Sequence, residues 1–172
     1  MKKLVNFFIK IFGGLIGWKF GKELIVFIIS LCPILEMRGG LLAATLLGVE
    51  PLRACIISFI GNILPVPVIL LFVTIVLDFM RDCNIKWMNN VSTWVRKKAD
   101  KHSKPFEKYG YLGLILFVGI PIPGTGAWTG CLIASLMNLN RKKAFLCTFI
   151  GLLICSTIMM LISYGILNRL IH

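Results

Sequence analysis

Glu36 and Arg38 stand on either side of Met37, between two stretches without charge, residues 24–35 and 39–49. Ionisable side chains in apolar surroundings are costly and mark substrate or proton pathways. An arginine grips a phosphate with two parallel hydrogen bonds. A glutamate can take up and release a proton. On a regular helix residues two apart point away from each other; at a non-helical apex they can pair, or each can face a cavity. A buried ion pair pinning two hairpins and a solvated surface apex are the alternatives. A second polar group follows Pro121-Ile122-Pro123: Gly124, Thr125, Gly126, Trp128 and Thr129. Its hydroxyls and indole are hydrogen-bonding groups in an apolar stretch. Asn62 is the third feature, with Pro65 and Pro67 just after it. It either faces a ligand or makes a helix–helix hydrogen bond, and the prolines kink its helix.

Other chemistries are disfavoured. Gly124-Thr125-Gly126-Ala127-Trp128-Thr129-Gly130 imitates a dinucleotide fingerprint, but two prolines precede it and no acid follows it to the end of the chain. That motif needs a strand before it and an acid about 20 residues on. Neither H-E-x-x-H nor G-x-S-x-G occurs, and Glu36 has no second carboxylate in the apolar region, so an enzyme is not expected. Five of the six cysteines lie in apolar segments and none forms a C-x-x-C pair; His102 and His172 are polar or terminal. No metal and no cofactor is expected.

The elements that must position these residues belong to a membrane. The chain of 172 residues is 58% hydrophobic and 15% charged, outside the range of soluble domains. Its net charge of +12 falls outside the apolar runs, which points to membrane orientation and anionic headgroups, not nucleic acid. About 20 helical residues cross a bilayer. Residues 54–77 and 144–168 can span; residues 24–35 and 39–49 are each too short. Residues 109–140 have the length, but Pro121, Pro123, Gly124 and Gly126 break the middle into two half-helices with a non-helical apex.

An internal repeat organises these pieces. Shifted by 90 residues, positions 24–61 and 114–151 share 12 identities in 38, including Pro33/Pro123, Gly40/Gly130 and the Phe59-Ile60-Gly61 triplet. About three would arise by chance. Each repeat reads as a re-entrant helical hairpin (24–49, then 109–138) and a spanning helix (51–79, then 141–168). One crossing per repeat inverts the second, a recurrent transporter plan. The fold class expected is therefore an all-α integral membrane protein with two inverted repeats, each a hairpin plus a spanning helix. The second half-helices begin near Gly39-Gly40 and Gly126. Their N-termini, with Arg38, make an anion-attracting centre.

The basic segments 81–108 and 141–143 fall on one face in this topology, which is then cytoplasmic. The stretch 84–104 forms an amphipathic helix with Ile85, Met88, Val91 and Val95 on one face and Trp87 and Trp94 at its edges. It reads as a helix on anionic headgroups, or equally as a connector packed on the protein. Residues 1–23 form an amphipathic or membrane-associated arm. Gly13, Gly17 and Gly21 make a ridge for close helix contact, and a crossing by residues 4–20 is open. Four spanning-type elements bury little alone, so a homodimer stands beside a monomer.

Four motifs carry a resemblance: Pro33-Ile34-Leu35-Glu36-Met37-Arg38-Gly39-Gly40, Gly61-Asn62-Ile63-Leu64-Pro65-Val66-Pro67, Phe106-Glu107-Lys108-Tyr109-Gly110, and Pro121 through Gly130. Across residues 24–165 the chain resembles the small multidrug export proteins of bacteria and archaea, which implies a multi-pass plasma-membrane protein. That family is in turn similar to the DedA/VTT superfamily, whose members carry two re-entrant hairpins. This similarity implies translocation of phosphate-bearing lipids such as undecaprenyl phosphate or phospholipids. DedA-type second hairpins carry arginines near a Pro-Gly; here Pro123-Gly124 has none, and the arginine is Arg38. The expectation is a lipid transporter, possible proton coupling resting on Glu36. The alternative is a proton-coupled exporter of small organic cations.

Overall fold

Prolines and left-handed residues set most of the helix boundaries. The computed structural model describes residues 2–12, 14, 17, 20–82, 86–101, 104–122 and 124–166. Among these the regular structure is all helical, without a strand. The helices are α1 (Lys2–Ile11), α2 (Gly21–Leu31), α3 (Glu36–Leu47), α4 (Pro51–Ile63), α5 (Pro65–Asp82), α6 (Lys86–Lys101), α7 (Lys104–Tyr109), α8 (Tyr111–Gly119), α9 (Ala127–Leu136) and α10 (Arg141–Met160). A π-helical turn, Leu161–Ile166, continues α10.

α2 stops where Cys32 turns extended before Pro33, as a residue preceding proline must. α8 likewise ends at an extended Ile120 before Pro121. α3 ends at Gly48, with φ of 67°, and α9 ends just before Asn138, with φ of 53°. Both ends close alike. Gly48 N–H bonds to Thr45 O at 3.3 Å and Val49 N–H to Ala44 O at 2.9 Å; Asn138 N–H bonds to Ser135 O at 3.1 Å and Leu139 N–H to Ala134 O at 2.9 Å. Asn is the non-glycine residue most at ease at that angle.

Pro51 opens α4 and Pro65 opens α5, positions where a missing N–H costs little. The chain stays helical through Leu64, whose N–H still reaches Ile60 O at 3.1 Å. Pro65 and Pro67 bring no N–H to the carbonyls of Gly61 and Ile63, so the expected interruption falls at Leu64. The run Pro51–Met80 has 30 residues and Arg141–Gly165 has 25, both with mean hydropathy 2.5. At ~1.5 Å per residue each exceeds a ~30 Å hydrocarbon layer. Leu52, Ile56, Ile60, Leu64, Val68 and Phe72 lie exposed along the first at intervals of four. Such a stripe suits lipid, not water. α2, α3, α8 and α9 have 9–12 residues each and are too short to cross.

The contacts divide the chain into two compact units, Met1–Pro65 with Leu152–His172, and Val66–Gly151. In the first, α2, α3 and α4 pack mutually, and α1 lies against α2 and α3. Val5 joins Ile25, Ile29, Leu35 and Ala43 in one apolar cluster. The helix α1 of the N-terminal arm thus ends at Ile11 and rests on protein. Of the expected glycine ridge, Gly13 lies outside the described residues, Gly17 has no neighbour within 4 Å of a Cβ, and Gly21 is buried. The π-helical turn packs on α3, and the Tyr164 hydroxyl donates to Val49 O at 2.8 Å. Tyr164→Phe is expected to destabilise the protein by about 1 kcal/mol, read as an earlier thermal unfolding midpoint, because it removes one hydrogen bond.

In the second unit, α6 folds back on the end of α5. The Ser92 hydroxyl donates to Leu77 O at 2.8 Å, and Arg96 pairs with Asp78 at 2.7 Å. α6 also touches α9. Met88, Val91 and Val95 are half-buried and Ser92 is buried, whereas Trp87 and Trp94 are exposed. Ile85, on the apolar face expected for this helix, lies outside the described residues.

Candidate functional site

The first unit holds the charged candidates. Glu36 is the first residue of α3 and Arg38 the third; they are 6% and 5% exposed. Burial at that level removes the alternative of a solvated apex. Glu36 takes a left-handed φ of 51°, an uncommon and strained angle for this residue type. It arises because the chain turns sharply after Pro33, and the Glu36 N–H bonds to Cys32 O at 2.8 Å. The Gly39 N–H goes to Leu35 O at 2.9 Å. Part of the α3 N-terminus is therefore already satisfied by the preceding turn. No side chain caps it.

Around this start the packing is close and polar. Gly39 and Gly40 are buried. A Cβ on Gly40 would collide with Ser30 Oγ and come within 2.9 Å of Ser58 Oγ. The Ser30 hydroxyl donates to Val26 O at 2.8 Å. Ser58 and Asn62, one turn apart on α4, are 0% and 1% exposed, and Ser58 Oγ and Asn62 Oδ1 have no hydrogen-bond partner among the described residues. Buried polar groups ordinarily have one. Pro65 is buried at the start of α5.

Cys155 is the residue that sequence reasoning passed over. Its thiol is buried and lies close enough to Arg38 and Glu36 to feel both charges. The absence of a C-x-x-C pair gave no hint of this proximity. The available signal was periodicity: Ala144, Thr148, Leu152, Cys155 and Met159 form the buried stripe of α10.

The second unit holds the other candidates. Gly124 and Gly126 have φ of 91° and 142°, so the segment before α9 needs residues without a Cβ. Gly126 is the N-cap, and its carbonyl accepts from Gly130 N–H at 2.8 Å. The Thr125 hydroxyl lies 2.8 Å from Ile122 O and 3.1 Å from Ile120 O. Its one proton serves these carbonyls. Pro121, Trp128 and Thr129 are half-buried, Gly124 is exposed, Gly126 is buried, and Pro67 is exposed on α5. Pro123 lies outside the described residues. Gly130 packs α9 onto α8, where a Cβ would come within 2.9 Å of Val118 Cγ2. Among the described residues no group of three or more His, Cys, Asp or Glu is placed to hold a metal ion.

Two apolar helices of crossing length, a lipid-facing stripe and charge buried at a helix start define a helical membrane protein. The family model described as "Putative small multi-drug export protein" matches residues 36–158, well over half of the chain, and the chain belongs to that family. The resemblance drawn from the four motifs thus holds at the level of the family. The matched span opens at Glu36 and includes Arg38, Asn62, Gly124 to Gly130 and Cys155. No curated protein and no solved structure matches the chain.

Proposed function

We propose that this membrane transporter moves a phosphate-bearing lipid, such as undecaprenyl phosphate or a phospholipid, in the manner of the DedA superfamily it resembles. The observation that carries the reading is Glu36 with Arg38, both about 95% buried at the start of a half-helix, with Glu36 held at a strained angle. Intramembrane charge and backbone strain both concentrate at working sites. In this reading Arg38 and the N-terminal turn of α3 hold the phosphate, with Gly39 and Gly40 shaping its surroundings; in the second unit Gly124, Thr125, Gly126, Trp128 and Thr129 are the residues proposed to contact substrate. Glu36 takes up and releases the coupling proton. Asn62 and Ser58 supply polar contacts along the path.

Two inverted repeats are part of the proposal. Helix closures at Gly48 and Asn138, and close packing at Gly40 and Gly130 and at Gly61 and Gly151, recur at a spacing of 90 residues and support it. The pairs α2–α3 and α8–α9 would be re-entrant, and residues 80–108 cytoplasmic in a bacterial or archaeal plasma membrane. With Met88, Ser92 and Val95 turned to protein, Trp87 and Trp94 become the part of α6 that meets anionic headgroups. Two chains would associate to cover apolar surface.

The family's name favours a second reading, an exporter in which Glu36 exchanges protons for a small organic cation. Arg38 beside it repels such a substrate. Liposomes with the purified protein, labelled undecaprenyl phosphate and a fluorescent organic cation separate the two. Lipid movement, slowed in Glu36→Gln only when a pH gradient drives it, is the expected result. Cation flux that depends on Glu36 and survives Arg38→Ala would overturn the lipid reading.

A further inference from the structure

The second unit contains a cavity that none of the residues above explains. It has a volume of about 110 Å³ and is lined by Leu70 and Thr74 of α5, Ser135, Asn138 and Leu139 at the end of α9, and Arg141 at the start of α10. This is several times the space one water needs.

Its chemistry is one-sided. Arg141 brings a guanidinium, Thr74 and Ser135 hydroxyls, and Asn138 an amide. Ser135 is 9% exposed, and its Oγ has no hydrogen-bond partner among the described residues. The local backbone does not supply one. Asn138 N–H and Leu139 N–H are spent on Ser135 O and Ala134 O. The Lys142 and Lys143 N–H groups are capped by Asn140 Oδ1 at 3.1 and 3.3 Å. The side chains of the wall therefore define what binds. No carboxylate lines the cavity, and Lys142 and Lys143 follow Arg141, so a cation is disfavoured. Four side-chain groups that donate hydrogen bonds, one of them a charged planar fork, match a tetrahedral oxyanion.

We propose that this cavity binds a phosphate group. The site shares no residue with the Glu36–Arg38 centre and does not rest on the transport reading. Two sources can supply such a group, an anionic lipid headgroup or inorganic phosphate. The lipid is well placed. Thr74 sits beside exposed Leu71 and Ile75, along which acyl chains can lie. Arg141 marks the point where the apolar run of α10 gives way to a basic triplet, the level at which headgroup phosphates sit.

Native mass spectrometry of the full-length protein in neutral detergent tests this. The probes are phosphatidylglycerol, diacylglycerol with the same chains, and inorganic phosphate. The expected result is one phosphatidylglycerol retained per chain and no retained diacylglycerol. Affinity should fall about tenfold or more in Arg141→Ala, and about fivefold to tenfold in Ser135→Ala, since each loses a charge-assisted contact. Asn138→Gly keeps the left-handed backbone, removes the amide and should weaken binding similarly. It stands in if Ser135→Ala fails to give monodisperse protein. Lys142→Ala should stay within about twofold, because its side chain is outside the wall. Inorganic phosphate that binds with the same dependence while phosphatidylglycerol does not would retain the site and assign it to the free anion. No binding of either probe, equal retention of diacylglycerol, or equal losses in Arg141→Ala and Lys142→Ala with Ser135→Ala unchanged would each overturn the proposal.

Discussion

Arg38→Ala is expected to slow transbilayer movement of a phosphate-bearing lipid on the order of 100-fold, roughly 3 kcal/mol, with the protein still expressed and inserted. The guanidinium is 5% exposed, so water does little to screen its contact with an anion. Losing two charge-assisted hydrogen bonds accounts for a change of that size. Arg38→Lys should recover only part of the rate, because an ammonium keeps the charge but loses the planar fork. A variant that merely unfolds the site would fail differently. The Cys155 thiol, buried near Arg38 in the wild type, would become open to a membrane-permeant maleimide. Unchanged thiol protection with lost transport isolates the functional role. Full activity in Arg38→Ala would remove Arg38 from the substrate path.

Gly61→Ala and Gly151→Ala should each lower the thermal midpoint by several degrees, and together by about the sum. A Cβ at Gly61 would come within 2.9 Å of Phe27 O and 3.0 Å of Ser30 Cβ. At Gly151 it would come within 2.8 Å of Val118 Cβ and 3.0 Å of Ile115 O. Each clash includes a backbone oxygen, which cannot rotate away, so overpacking of about 1–3 kcal/mol is expected. The two sites share no neighbour, which is the condition for additivity. Gly17→Ala, with nothing within 4 Å, is the matched control and should leave the midpoint unchanged. If Gly61→Ala behaves like Gly17→Ala, α4 does not depend on close approach to α2.

These two cases show what the amino-acid sequence made legible. The prolines at 33, 65 and 121 announce breaks in the helices through local stereochemistry, and the structure places helix boundaries there; the glycines 90 residues apart stood out only as repeat partners, and their close helix contacts came from the structure. The two long apolar runs were equally plain, because crossing length is a matter of counting. Glu36 and Arg38 stood out as charges among apolar residues. The strain at Glu36 did not, since a backbone angle depends on how the chain turns after Pro33. The proximity of Arg38 and Cys155 was hidden for another reason: it joins residues more than a hundred positions apart. Ser92 reaching Leu77 O, and the cavity gathered by Thr74, Ser135 and Arg141, likewise depend on which helices meet. The apolar face of α6 was legible, and packing on the protein was one of its two readings; which part of the face would be covered depends on which helices meet.

The left-handed backbone at Glu36 has a consequence for how this protein can be improved. The angle costs a residue with a Cβ about 1–3 kcal/mol, and glycine or asparagine would be released from much of it. A library screened only for heat resistance would therefore drift toward Gly or Asn at position 36. Its most durable members would be those that had given up the carboxylate. Selection for robustness would then work against the proton-carrying role proposed for Glu36.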